Sequence, residues 1–72
     1  MTYYDFLLAK RASGELKTLF ALGLPVHLAL WMDYYEFYLE HPEFSYREIS
    51  YYFQATKSTI ERALAFMKLP CV

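Results

Sequence analysis

Apolar residues recur at intervals of three and four along most of this 72-residue chain, which is the spacing of amphipathic helices. Gly14, Gly23 and Pro42 interrupt the pattern and mark the ends of three N-terminal segments. No stretch alternates apolar and polar residues between turn residues, as a half-buried strand would. The pattern therefore predicts an all-α protein whose first three helices lie at about residues 2–14, 15–22 and 25–40.

The third of these segments combines an apolar stripe with an acidic face, as expected of a helix that lies on a core. We expect the stripe to pack inward and the acidic side chains to be solvated. The stripe comprises Leu28, Trp31, Tyr35 and either Tyr38 or Leu39, and the acidic face comprises Asp33, Glu36 and Glu40.

The segment from Phe44 to Met67 predicts two further helices. Ser45 and Glu48 have the spacing of a capping box, in which each side chain accepts a hydrogen bond from the other residue's backbone N–H. The first helix then has one apolar face, formed by Ile49, Tyr52 and Phe53.

The second helix of this pair begins after Thr56, a residue type that commonly caps helices. Only Gln54 and Ala55 separate this cap from the first helix, so the two helices are expected to cross steeply rather than lie antiparallel. The apolar face of the second helix is formed by Ile60, Ala63, Leu64 and Met67.

These two helices resemble the helix-turn-helix family of DNA-binding proteins. The small residue expected where the helices approach each other is matched by Ser50, and the Thr56–Ile60 run resembles the polar opening of many recognition helices. Gln54 departs from the pattern, because the family often has glycine in the turn, where positive φ is needed. The five apolar positions of the pattern are matched by Ile49, Phe53, Ala55, Ile60 and Ala63.

A length of 72 residues predicts a single domain, and no β-hairpin wing is expected because only a few residues follow the second helix. The resemblance implies a small helical bundle over residues 1–72 with a helix-turn-helix at 44–68. It implies sequence-specific binding of double-stranded DNA in transcription or in the biology of a mobile element, because short, wingless helix-turn-helix proteins occur in phages and conjugative elements. The candidate DNA-binding residues are Arg47, Lys57, Ser58, Thr59, Glu61, Arg62 and Lys68.

The chemistry of these side chains suggests separate roles at DNA. Arg62 suits a bidentate contact with guanine, and Ser58 can hydrogen-bond a base or a phosphate. Arg47 and Lys68 suit the phosphate backbone, whereas Glu61 would either accept from cytosine or repel phosphate. The alternative interpretation is that charges and hydroxyls of this kind form an ordinary solvated helix face.

Net charge does not favour DNA binding, since the chain has a formal charge of −1 and a pI near 6.0. Most DNA-binding domains are basic, because phosphate contacts supply much of their affinity. The charge is unevenly distributed, with +2 from residue 44 onward and −4 over residues 25–43. We therefore expect a homodimer, in which two weakly positive ends bind DNA together.

Aromatic residues support an alternative function. Ten lie between Trp31 and Phe53, and helical spacing spreads them around the helices, so that some are expected to face outward. Exposed tyrosine and tryptophan are common at protein interfaces. The alternative is therefore a protein-interaction module, such as an adaptor or an inhibitor, that uses an aromatic helical surface.

Other classes of function find little support in the sequence. No phosphate-binding loop, nucleophile motif or metal-ligand cluster is present, so we expect neither an enzyme nor a cofactor. His27 is expected to be a packing residue, and His41 is expected to lie at the end of a helix. No apolar run is long enough to span a membrane, and Cys71 is the single cysteine. These features predict a cytoplasmic protein without a disulfide or a small-molecule substrate.

Overall fold

A computed structural model describes residues 1–71, which fold into five helices. These are α1 (Tyr3–Ser13), α2 (Leu16–Ala21), α3 (His27–Glu40), α4 (Tyr46–Phe53) and α5 (Lys57–Lys68). The described part of the chain contains no strand, so the prediction of an all-α protein is confirmed. None of these helices is both long and apolar enough to cross a membrane.

Local capping signals determine where α1 begins and ends. The Asp5 N–H donates to Oγ1 of Thr2 at 3.2 Å, and the Thr2 N–H donates to Oδ2 of Asp5 at 3.1 Å. This capping box satisfies two of the N–H groups that a helix start leaves without partners. At the other end, Gly14 adopts the left-handed conformation with φ 83°. The predicted helix end at Gly14 is confirmed.

The longest helix is α3, and its contact with α5 is the most extensive between any two helices of residues 1–71. Two clusters of buried side chains lie along this contact, and both α3 and α5 contribute to each cluster. The first also includes α1 and α2 and contains Leu7, Leu16, Leu28, Met32 and Met67. The second also includes α4 and contains Tyr34, Ile49, Ile60, Ala63 and Leu64.

Backbone hydrogen bonds join the two ends of the described chain. The Tyr3 N–H donates to the Leu69 carbonyl at 2.9 Å, and the Cys71 N–H donates to the Met1 carbonyl at 2.8 Å. Thr2 and Pro70 form an isolated antiparallel bridge between these bonds. The start of α1 therefore holds the C-terminal end of α5 in place.

The predicted acidic face of α3 is only partly correct. Asp33 and Glu40 are exposed, but Glu36 is half-buried and its Oε1 lies 2.9 Å from Nη1 of Arg11 on α1. The pair forms because α1 packs beside α3, a tertiary contact that periodicity within one helix does not reveal. In the apolar stripe, Leu28 is buried, and three half-buried members pack against the core: Trp31, Tyr35 and Tyr38. Leu39, the predicted alternative to Tyr38, is exposed.

Candidate nucleic-acid interface

The helix α4 begins at the predicted capping box. Oγ of Ser45 accepts from the Glu48 N–H at 3.2 Å, and Oε1 of Glu48 accepts from the Ser45 N–H at 3.1 Å. Phe44, just before the cap, packs against the cluster that contains Ile49. The box fixes the register of α4, and this register places Ile49 and Ser50 in the interior.

The link between α4 and α5 contains one residue in an unusual conformation. Gln54 has φ 55° and ψ 41°, which makes it the one non-glycine residue among residues 1–71 with positive φ. Its N–H donates to the Tyr51 carbonyl at 3.2 Å, and the Ala55 N–H donates to the Ser50 carbonyl at 2.9 Å. The turn is therefore closed by the left-handed geometry that glycine adopts with less strain.

Thr56 then begins α5, as predicted. Its backbone is extended, with φ −79° and ψ 152°, and its Oγ1 accepts from the Thr59 N–H at 3.2 Å. The hydroxyl of Thr59 lies 2.8 Å from that of Thr56, and Thr59 is half-buried. Of the candidate DNA-binding residues, Thr59 is thus the one whose side chain completes the cap.

The contact between α4 and α5 is close and apolar. Ile49, Ile60 and Ala63 are buried, and they belong to one cluster with the half-buried Phe53 and Ala55. Ser50 is also buried, and its hydroxyl is satisfied by donating to the Arg47 carbonyl at 2.6 Å. A small side chain at position 50 lets the two helices approach each other. The predicted apolar face of α5 is also confirmed, because all four of its residues, including Leu64 and Met67, are buried.

Tyr52 lies outside this interior, contrary to its predicted place on the apolar face of α4. It is 63% exposed and stacks on Phe37 of α3, with the ring centroids 4.4 Å apart. Phe37 also contacts Phe44 and Phe53 edge to face. The ring of Tyr52 therefore covers the rim of the aromatic cluster instead of entering the core.

The outer face of α5 is polar in its first half. Successive residues advance about 100° around a helix, which places Ser58, Arg62 and Ala65 on the side opposite the buried Ile60 and Ala63. All three are exposed. Arg62 forms no ion pair with any residue in the described part of the chain, so its guanidinium donors face solvent.

A groove runs along one flank of this face, between the N-terminal ends of α4 and α5. It has a volume of about 550 Å³ and is lined by Ser45, Tyr46, Arg47, Lys57 and Glu61. Nζ of Lys57 lies 3.5 Å from Oε1 of Glu61, and both side chains are about half exposed. Such an exposed pair is weak, at roughly 0.3–0.5 kcal/mol. Arg47 has no ion-pair partner within residues 1–71, so the groove has a net positive charge.

Lys68 lies apart from this group, at the other end of α5. Its ammonium is 4.8 Å from the centre of the Tyr38 ring, a cation–π contact. Burial lowers the pKa of Lys68, but the Tyr46 and Tyr38 hydroxyls more than compensate, so that the pKa is raised overall. Lys68 therefore attaches the end of α5 to α3 and α4, and its predicted contact with the DNA backbone stays a prediction.

The structure thus brings most of the candidate DNA-binding residues to one end of the molecule. Ser45 and Tyr46, which line the groove, were missed by the sequence analysis, as was Tyr51, which is 75% exposed. Tyr51 lies four residues after Arg47 on α4, a spacing that places both side chains on one helix face. This spacing is the feature of the sequence that could have identified Tyr51 as a neighbour of Arg47.

Most of the predicted aromatic surface is used inside the molecule. Of the ten aromatic residues between Trp31 and Phe53, only Tyr51 and Tyr52 are exposed. The others pack among themselves, as Tyr34 does edge to face with Phe53 at 4.8 Å. The expectation that some aromatic residues face outward is confirmed for these two alone.

Comparison of the chain with models of protein families, with characterised proteins and with solved structures gave no match. Residues 1–71 contain no group of three or more His, Cys, Asp or Glu side chains arranged to hold a metal ion. Function is therefore inferred from the geometry of α4, α5 and the groove between their N-terminal ends.

Proposed function

We propose that residues 44–68 act as a helix-turn-helix that binds double-stranded DNA sequence-specifically, with α5 as the recognition helix. The observation that carries this proposal is the division of α5 into two faces. One face is fixed against α4 and α3 by Ile60 and Ala63, and the other presents Arg62, which has no ion-pair partner within residues 1–71. A rigidly held helix with a polar outer face is what insertion into a major groove requires.

The dimensions of α5 suit this role. Its 12 residues make a helix about 18 Å long, and the major groove, about 12 Å wide, admits an α-helix. Ser58 and Arg62 lie one turn apart on the outer face, so both would face base edges. Arg62 would donate to O6 and N7 of guanine, and Ser58 would serve a base or a phosphate.

The groove beside α5 would hold the sugar–phosphate backbone. Lys57 and Arg47 line it from two helices, so that a phosphate between them would meet positive charge from both sides. Glu61 pairs with Lys57 and reduces the attraction, but it could also accept from the amino group of cytosine. Phosphate contacts of this kind position a protein on DNA, whereas contacts with bases specify the sequence.

The modest charge of the interface has a consequence for affinity. Two cations and one acid line the groove, and the whole chain has a formal charge of −1. A single copy would bind a half-site weakly, because few counterions are released per copy. This fits a small regulator of transcription, or a protein of a mobile element, that uses two copies per operator.

The test is an electrophoretic mobility shift with a duplex selected from a random pool, performed at two salt concentrations. We expect a retarded band that weakens as salt rises, since each phosphate contact releases counterions. Arg62→Ala should lower specific affinity by about 1–3 kcal/mol and relax preference at one base pair. Lys57→Ala should weaken binding to all sequences about equally and reduce the salt slope by about 1.

Lys17→Ala is the matched control for these variants. Lys17 is an exposed lysine on α2, outside the proposed interface, so its removal should leave the salt slope and the site preference unchanged. No retarded band at either salt concentration would refute DNA binding. If Arg62→Ala retains the affinity of the parent for the selected site, α5 does not contact bases.

A protein-interaction module is the second candidate, and the observation that favours it is the pair of exposed tyrosines at the end of α4. Tyr51 and Tyr52 are adjacent and 75% and 63% exposed. Tyrosine offers a large contact area with a polar tip, which suits protein interfaces. If the protein is an interaction module, it should form no complex with DNA, and Tyr51→Ser should lose binding to the protein partner. The mobility shift of the parent protein decides between the two functions.

A further inference from the structure

Three large apolar side chains are exposed where α2 leads into α3. Leu22 is 79% exposed, Val26 is 73% exposed and Leu30 is 48% exposed. We refer to these three residues as the junction patch. From it we infer that a second copy of this chain docks on the α2–α3 junction to form a symmetric dimer, an inference that is independent of DNA binding.

Two members of the patch share one face of α3. Val26, just before α3, has helical backbone angles, with φ −67° and ψ −23°. Leu30 therefore lies one helical turn after Val26 on the same face. Leu22 precedes them across the turn at Gly23, which has φ 116°. Leu24 in this turn is half-buried against the first core cluster. The chain thus uses Leu24 and Leu28 for its own core and leaves the junction patch unpacked.

The charge pattern favours a copy of the same chain as the occupant. No Asp, Glu, Lys or Arg occurs between Lys17 and Asp33, and this is the longest uncharged stretch in the sequence. A two-fold symmetric interface places a surface against itself, so any charged group near the axis meets its own like charge. The junction lacks this repulsion, whereas the outer side of α3 beyond it has the exposed acids Asp33 and Glu40.

An interface of ordinary size would cover a considerable part of this small molecule. The total accessible surface is 4882 Å², and a standard interface buries about 800 Å² per partner, roughly one sixth of that surface. The residues next to the patch are also exposed and uncharged, so the apolar area extends beyond the three large side chains. These neighbours are Ala21, Pro25 and Ala29.

A lipid surface fits the junction less well than a second copy. Segments that bind anionic membranes combine apolar residues with several lysines and arginines, whereas residues 18–32 contain neither lysine nor arginine and lie between Lys17 and Asp33. The position of the patch is also compatible with the proposed interface. It adjoins the core cluster shared with α1 and α2, while α4 packs on the other cluster, so that docking leaves the Arg47 groove open.

The test is sedimentation equilibrium of the full chain, without DNA, over a concentration series. The parent should approach twice the 8.6 kDa chain mass as concentration rises. Leu30→Lys should raise the dimer dissociation constant about tenfold or more, because the interface would then have to bury an unpaired charge. Val26→Glu should have the same effect, and a carboxylate at this position suits the N-terminal end of α3.

Leu39→Lys is the matched control, because Leu39 lies on the same helix and is 53% exposed but is outside the junction. It should dimerise like the parent, and thermal melts should show that all three variants remain folded. A parent that stays monomeric at the highest concentration overturns the inference. The inference is also overturned if Leu39→Lys raises the dimer dissociation constant as much as Leu30→Lys does. A monomer that co-sediments with phosphatidylserine vesicles would overturn it as well.

Because DNA is absent from this experiment, its outcome is separate from that of the mobility shift. A dimer that binds no DNA would support the junction inference and refute the proposed function. A protein that binds DNA but remains monomeric would support the proposed function and refute the junction inference.

Discussion

Replacing Gln54 by glycine should stabilise the protein, although glycine usually weakens helical structure. Gln54 is held at φ 55° and ψ 41° at the end of α4, between the proposed support helix and the recognition helix. Its side chain is exposed and forms no hydrogen bond with another residue of 1–71. Removing the side chain therefore loses no contact, and the effect depends on the backbone alone.

The magnitude follows from two opposing terms. A left-handed conformation costs an L-residue with a side chain roughly 1–2 kcal/mol, which glycine does not incur. The greater flexibility of glycine in the unfolded chain offsets this gain by roughly 0.5–1 kcal/mol. Gln54→Gly should therefore raise the free energy of unfolding by about 0.5–1 kcal/mol. For a domain of this size, that corresponds to a rise in Tm of about 2–8 °C.

Thermal unfolding followed by circular dichroism is the assay, with Ala65→Gly as the control. Ala65 is exposed in the interior of α5, where helical φ is negative, so glycine there should cost about 1 kcal/mol. The two substitutions introduce the same residue and should shift Tm in opposite directions. If Gln54→Gly lowers Tm as much as Ala65→Gly does, Gln54 does not hold the left-handed conformation and the account of the turn is wrong.

Three further predictions concern the caps and the core. Ser45→Ala and Thr56→Ala should each cost about 0.5–2 kcal/mol in the free energy of unfolding, measured by urea denaturation. Ile60→Ala should cost about 2–5 kcal/mol, because this side chain is fully buried between α4 and α5; a parent-like melting curve would place it on the surface. Hydrogen bonds from the backbone and side chain of Thr2 lower the pKa of Asp5, so its contribution to stability is present above about pH 4 and is lost as pH falls further. Asp5→Asn should reduce the acid dependence of Tm.

The start of every capped helix was predictable because capping is local. Ser45 and Glu48 are three residues apart, and their reciprocal hydrogen bonds involve no other part of the chain. The buried face of α5 was predictable for a related reason, because a core that contacts one side of a helix selects residues at a fixed spacing. Gln54 was recognised as a departure from the helix-turn-helix pattern, and the structure supplies its conformation.

The remaining features depend on which elements meet in space. Periodicity placed Glu36 on a solvated face, but the approach of α1 brings Arg11 to it. Lys68 was assigned to DNA from its charge alone, whereas its contacts with Tyr38 arise from the packing of α3 against α5. The exposure of Val26 and Leu30 likewise follows from how α2 turns into α3. A sequence pattern identifies the apolar face of a helix. Tertiary contacts determine which residues of the other helices pack on that face.

DNA binding by α5 is tested by an NMR titration of ¹⁵N-labelled protein with a duplex selected by the protein, at low salt. We expect the largest amide shifts at residues 45–47 and 57–62, which form the groove and the first half of α5. Amides of the junction, residues 22–30, should move little and serve as an internal control. Absence of shifts on α5, or shifts confined to the junction, would contradict the proposal that α5 binds DNA.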